Sequence, residues 1–168
     1  MCGITGGVAE RDIAPILIEG LKRLEYRGYD SAGIAVLHDN QIQRRRICGK
    51  VNVLKEALQQ HPCPGKVGIA HTRWATHGKP SEHNAHPMMA QDMLAIVHNG
   101  IIENFEPLKA KLLEKGVQFT SETDTEVVAH MLLFACEANG GDLLKAAMAV
   151  RKELQGAYSF AILSKLEP

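Results

Sequence analysis

Apolar positions change period several times along the chain, and each change marks an element. Gly3 to Ala9 mixes β-branched residues with glycines and predicts a short strand. From Ile13 the apolar residues recur at helical spacing (Ile13, Ile16, Leu17, Leu21, Leu24), with Asp12 placed as the cap and Gly28 as the stop. Pro15 falls in the first turn, where its missing N–H costs little. Alternation at Ala32–Leu37 and Gln41–Ile47 predicts a hairpin turning through His38-Asp39-Asn40. A short helix over Asn52–Gln60 ends before Pro62-Cys63-Pro64-Gly65. Val67–His71 is a strand that leads into a polar loop from Thr72 to Pro87, and Met93–His98 is a strand halted by Asn99-Gly100. Three helices follow: Phe105–Lys115 behind Asn104, Glu126–Glu137, and Leu143–Leu154 behind Asp142. Thr123 and Glu126 have capping-box spacing at the second of these. Tyr158–Leu163 is the last strand.

Mixed groups of strands and helices, with one tight hairpin and the helices bunched late, predict an α+β layered fold and not a regular βαβ winding. At 168 residues the chain has the length of one domain, without repeat or linker. The final strand stops close to residue 168, which fits a sheet with a terminal strand or a chain cut short. Lys+Arg and Asp+Glu both number 19, so the net charge is zero and gives no bulk attraction to nucleic acid or an anionic membrane. No apolar run reaches the ~18 residues of a membrane span. Nor does the start carry the basic and apolar segments of a signal peptide, so the expected location is cytoplasmic. Cys2, Cys48, Cys63 and Cys136 share no C-x-x-C spacing and are expected as free thiols.

Four groups of residues could carry chemistry. Removal of Met1 would leave Cys2 with a thiol and an α-amine on one residue, the N-terminal nucleophile arrangement; by position alone, Met-Cys also arises by chance. The segment His71-Thr72-Arg73-Trp74-Ala75-Thr76-His77-Gly78 offers a guanidinium fork suited to a carboxylate, or else a solvated loop. His98-Asn99-Gly100 can aim two donors at a developing oxyanion, although Asn-Gly is also the commonest tight turn. In Ser121-Glu122-Thr123-Asp124-Thr125-Glu126, Asp124 starts a helix as a cap or as a partner for a substrate ammonium. His71, His77, His83, His86 and His98 crowd together but match no metal-ligand spacing, so no metal is expected. Arg44-Arg45-Arg46 alternate across a strand and cannot gather on one phosphate; a solvated edge or a domain interface is expected of them.

Taken together and in order, these segments resemble the glutaminase domain of the class II glutamine amidotransferases. The match runs through Cys2-Gly3-Ile4, Tyr26 to Gly33 (YRGYDSAG), His71 to Gly78 (HTRWATHG), His98 to Asn104 and Ser121 to Glu126. The first two long segments are most similar to members that aminate fructose 6-phosphate. The resemblance implies a four-layer αββα sandwich of the N-terminal nucleophile hydrolase type, here lacking the C-terminal part of the domain. It implies L-glutamine as substrate, Cys2 as nucleophile, and Asn99 and Gly100 as oxyanion donors. Arg73, Thr76 and His77 would hold the α-carboxylate and Asp124 the α-ammonium. Trp74 would gate ammonia passage, and Arg27 would support the site. No cofactor is implied. The longer enzyme would carry a sugar-phosphate isomerase domain, absent here, and would pair as a homodimer.

Overall fold

The computed structural model describes residues 2–27, 29–74 and 79–167. Among these residues the elements run in the order β1 (Gly3–Val8), α1 (Ala14–Leu24), β2 (Ser31–His38), β3 (Gln41–Cys48), α2 (Val51–Gln60), β4 (Val67–Arg73), β5 (Met88–Ala90), β6 (Leu94–Ile102), α3 (Phe105–Glu114), α4 (Asp124–Ala138), α5 (Leu143–Arg151) and β7 (Gly156–Ser164), with a 3-10 turn at Glu25–Arg27. The strands form two sheets, β1-β4-β2-β3 and β5-β6-β7, with every pairing antiparallel.

Strand residues of opposite parity enter different cores. On β2, Ile34 and Val36 pack with Leu17, Leu21 and Leu54 of α1 and α2, while Ala35 faces the other way. On β6, Leu94 and Ile96 pack under α4 with Val128 and Leu132. Ala95 and Val97 instead meet Ala35, Ile69 and Leu163 between the sheets. Both faces of each sheet are therefore covered, and the layers run α, β, β, α. That accounts for the apolar run at Leu94-Ala95-Ile96-Val97, since neither parity faces water. Among the described residues, no helix is long and apolar enough to cross a membrane.

Several boundaries differ from the pattern reading. Strand β4 continues to Arg73 and β6 to Ile102, so Asn99-Gly100 is no turn: the two residues pair with Ser159 and Tyr158 of β7. Gly100 has φ +122°, and a Cβ there would stand 2.0 Å from the Ala157 carbonyl oxygen; only glycine lets the strand pass. A further short strand, β5, follows directly after the expected loop, and α5 stops at Arg151. Ile13, not Asp12, is the cap of α1, although Asp12 Oδ1 accepts from the Ala14 N–H at 3.3 Å. Asn104 does not cap α3 with its side chain; it bonds Glu153 O and Gln155 N instead. Gly28 lies outside the described residues.

Alternation holds for the arginines, and their environment is not a solvated edge. Arg44 Nη1 donates to Pro87 O at 3.3 Å, and Arg46 Nη1 to His83 O and Ala85 O at 3.0 and 3.2 Å, while Arg45 is exposed. Two guanidinium groups thus brace the 83–87 loop from the same side. Gly33 admits that loop, because a Cβ there would lie 2.1 Å from the His86 carbonyl oxygen.

Candidate active site

The inter-sheet layer turns polar at one end of the sandwich. Counting by twos along β4 from Ile69 brings His71 and then Arg73 onto the inter-sheet face. The same count on β6 leads from Val97 to Asn99, and on β1 it leads back from Ile4 to Cys2. Apolar residues on the sheet-facing parity are thus replaced by a thiol, a guanidinium, an imidazole and an amide where the strands end.

Cys2 Sγ lies against the backbone just past β4. The Trp74 N–H donates to it at 3.2 Å, and the thiol can donate to Trp74 O at 3.5 Å. Asn99 Nδ2 donates to Cys2 O at 3.3 Å, which ties β6 to the residue carrying the thiol. The Trp74 side chain is 55% exposed.

Two opposite charges are buried in the same region. Arg73 is 4% exposed, with Asp30 Oδ1 at 3.9 Å from its Nη1. Burial lowers its pKa from the ordinary value, and Asp30 and Asp124 are among the groups that oppose this. Asp124, also 4% exposed, opens α4 with Thr123 as its cap. Its Oδ2 accepts from the Ile102 N–H at 2.9 Å, and its Oδ1 accepts from Thr125 Oγ1 at 3.3 Å. The cap is not a reciprocal box. Thr123 Oγ1 accepts from the Glu126 N–H, but the Glu126 carboxylate turns to the N–H and hydroxyl groups of Thr120 and Ser121, at 2.6–2.8 Å. Four donors on one buried carboxylate fix the loop that presents Asp124.

Cys2, Arg73, Trp74, Gly100 and Asp124 line a single cleft, together with His86 and His98. Asn99 reaches Cys2 from β6. Thr76 and His77 lie outside the described residues, as does the side chain of Arg27. Chemically, the cleft joins a thiol to separate positive and negative groups, the complement of a zwitterionic amino acid with an electrophilic side chain.

Three buried histidines cluster here: His86 and His98 line the cleft, and His71 packs against His86. His71 and His86 have ring centroids 4.4 Å apart, and His86 and His98 6.4 Å apart. The His98 N–H donates to His86 Nδ1 at 3.3 Å, and His98 Nδ1 lies 2.9 Å from Thr125 Oγ1. Burial pushes His71 down to about 4 and His86 well below the ordinary imidazole value, so both are neutral near pH 7. Crowding along the sequence was the signal available, since His86 lies on no strand. Among the described residues, no three His, Cys, Asp or Glu side chains converge as a metal-binding group.

Comparison with known proteins agrees with this geometry. Residues 71–167 match the family model of the glutamine amidotransferase domain. The chain is 57% identical to the glutamine–fructose-6-phosphate aminotransferase (isomerizing) of Pseudomonas aeruginosa over 169 aligned residues, covering 100% of this chain and 28% of that protein. It is 56% identical to the Pectobacterium atrosepticum enzyme of the same name, covering 97% and 27%. The chain therefore spans little more than a quarter of the length of these relatives. Among solved structures it is similar to the glutamine phosphoribosylpyrophosphate amidotransferase of B. subtilis, with TM-score 0.76, 28% identity, and coverage of 98% of this chain and 35% of that one. A structure described as the allosteric regulatory enzyme of purine biosynthesis aligns with TM-score 0.81 and 28% identity, covering 98% and 36%. Its sequence places this αββα chain in the glutamine amidotransferase domain family, to which it belongs.

Proposed function

We propose that the chain hydrolyses the side-chain amide of L-glutamine through Cys2, as the glutaminase part of a glutamine–fructose-6-phosphate aminotransferase. The observation that carries the reading is the cleft itself, where the Cys2 thiol, Arg73 and Asp124 converge. Arg73, with Thr76 and His77, holds the α-carboxylate, and Asp124 the α-ammonium. Arg27 supports the site. Cys2 must be the first residue, because an attached Met1 would hold its nitrogen in an amide. A free α-amine has an ordinary pKa of about 7.7–8.0 and can accept a proton near neutrality.

The steps balance with the chain's own groups. Cys2 Sγ attacks the glutamine amide carbon while the thiol proton passes to the α-amine, through water. The oxyanion is held by Asn99 Nδ2 and the Gly100 N–H. The C–N bond breaks, the α-ammonium returns the proton to the leaving nitrogen, and ammonia departs from a γ-glutamyl thioester. Water then attacks the thioester, giving a proton to the α-amine. The C–S bond breaks, the sulfur regains that proton, and glutamate leaves. No cofactor is needed.

Identity favours fructose 6-phosphate as the acceptor, at 57% against 28% for the phosphoribosylpyrophosphate relative. Ammonia would pass Trp74 to a separate sugar-phosphate isomerase domain in a longer, homodimeric enzyme. The test is product analysis with glutamine, alone and with fructose 6-phosphate. Glutamate and ammonia are expected in equal amounts, without glucosamine 6-phosphate, and Cys2→Ala should abolish both products. Turnover that survives Cys2→Ala in a folded protein would overturn the assignment.

A further inference from the structure

His71 is fully buried on β4 and has no role in the steps above. Its Nε2 lies 2.9 Å from Asn99 Oδ1, across the gap between the two sheets. We infer that His71 is a positioning residue: its Nε2–H donates to Asn99 Oδ1 and fixes the amide with Nδ2 on the Cys2 side. The inference rests on the reading of Asn99 as an oxyanion donor and deepens it.

The hydrogen-bond network dictates the direction of each proton. Asn99 Nδ2 faces Cys2 O at 3.3 Å, and a carbonyl can only accept. Oδ1 must then be the atom facing His71, and an amide oxygen also can only accept. The proton between them belongs to His71 Nε2. In the neutral ring this leaves Nδ1 bare, and among the described residues Nδ1 has no hydrogen-bond partner. A second proton there would be buried beside the His86 ring at 4.4 Å. Burial, with His98 and Arg73 adding repulsion, holds the ring in the neutral form that donates only from Nε2.

An amide can rotate by half a turn and exchange its oxygen and nitrogen. Without His71, the hydrogen bond left to oppose that flip among the described residues is the 3.3 Å contact to Cys2 O. A flipped amide would present oxygen to the developing oxyanion, replacing attraction with repulsion. His71 therefore acts on the transition state through Asn99 and leaves ground-state binding of the substrate ends to Arg73 and Asp124.

Kinetics of His71→Leu and His71→Gln, each alone and combined with Asn99→Ala, test this, because the Gln amide nitrogen stands about where imidazole Nε2 does. His71→Leu should lose ~10-fold or more in kcat, bounded by the ~10²–10³ typical of a lost oxyanion donor. KM should move by about twofold at most. His71→Gln should recover most of the loss, and on the Asn99→Ala background His71→Leu should cost nothing further. Unchanged kcat in folded His71→Leu, an undiminished loss on the Asn99→Ala background, or a folded His71→Gln as slow as His71→Leu would each overturn the inference. Nitrogen-15 spectra of the unsubstituted chain decide the pairing even if His71→Leu does not fold. A protonated Nε2 with a bare Nδ1, and slowly exchanging Asn99 side-chain amide protons, are expected; a proton on Nδ1 refutes the inference. An unsubstituted chain that shows this tautomer but hydrolyses no glutamine would instead overturn the glutaminase reading.

Discussion

Asn99 and Asp124 are each tied to backbone by a side-chain hydrogen bond. Asn99 Nδ2 donates to Cys2 O, and Asp124 Oδ2 accepts from the Ile102 N–H. Their proposed roles differ in when they act. An oxyanion donor strengthens only as charge develops, whereas an ammonium partner binds substrate and transition state alike. Asn99→Ala is expected to depress kcat by ~10²–10³ with a smaller effect on KM. Asp124→Asn, which keeps an acceptor for Ile102 but removes the charge, should act mainly by raising KM. Steady-state kinetics on the two variants checks this, and the reverse pattern would mean that the roles are exchanged. At this scale the thiol, guanidinium, amide and carboxylate were legible, because each is a distinct chemical group in a distinct segment. The hydrogen bonds that hold these groups in place were not legible. Glu126 read as half of a capping box, yet its carboxylate serves Thr120 and Ser121, a choice made by the path of the preceding loop.

Elements were legible wherever local pattern and tertiary pairing agree. The β2–β3 hairpin turns through Asp39 and Asn40, with φ of 46° and 57°, a conformation that Asp and Asn tolerate better than most residues. Strand β6 is the contrary case. Asn99-Gly100 carries a strong local turn signal, but pairing with β7 carries the strand on to Ile102. Gly100 adopts its positive φ within the strand, so the dipeptide makes no reversal of direction. Burial of histidines where β4, β6 and the 83–87 loop meet has a thermodynamic consequence. His71 is held at about 4 and His86 well below its ordinary value, each first by burial. For His71 the facing groups are His86, His98 and Arg73; for His86 they are His71, His98, Arg73 and Arg46. Above an ordinary imidazole pKa of about 6.5, neither state takes up protons at these positions. As the pH falls through that value the unfolded chain binds protons that the folded chain refuses, so stability declines until the folded pKa is reached. Each histidine should contribute a slope approaching ~1.4 kcal/mol per pH unit on the way down. Urea unfolding between pH 7 and 5 should show the decline, and His71→Gln should make it shallower by about one proton's worth. Stability that is flat over this window would contradict neutral burial of the two rings.

For the whole molecule, the four layers place chemistry at the strand ends. Alanines at positions 35 and 95 pack between the sheets, and the same strand parity that buries Ile69 and Val97 carries Arg73 and Asn99 into the site. Mixed element order indicated an α+β fold, and the resemblance carried by five segments specified the αββα stack. Composition alone could not have done so, because sheet-on-sheet contact is long-range and leaves no local period. The central claim is that Cys2 is the nucleophile of a glutamine-specific cleft, and covalent trapping addresses it most directly. The chain would be incubated with an electrophilic glutamine analogue, and the modified residue located by intact and peptide mass spectrometry. One adduct per chain is expected, on Cys2 of a protein lacking Met1, with glutamine protecting against it and Cys48, Cys63 and Cys136 unmodified. Labelling at another cysteine, or labelling of Cys2 that glutamine does not slow, would contradict it.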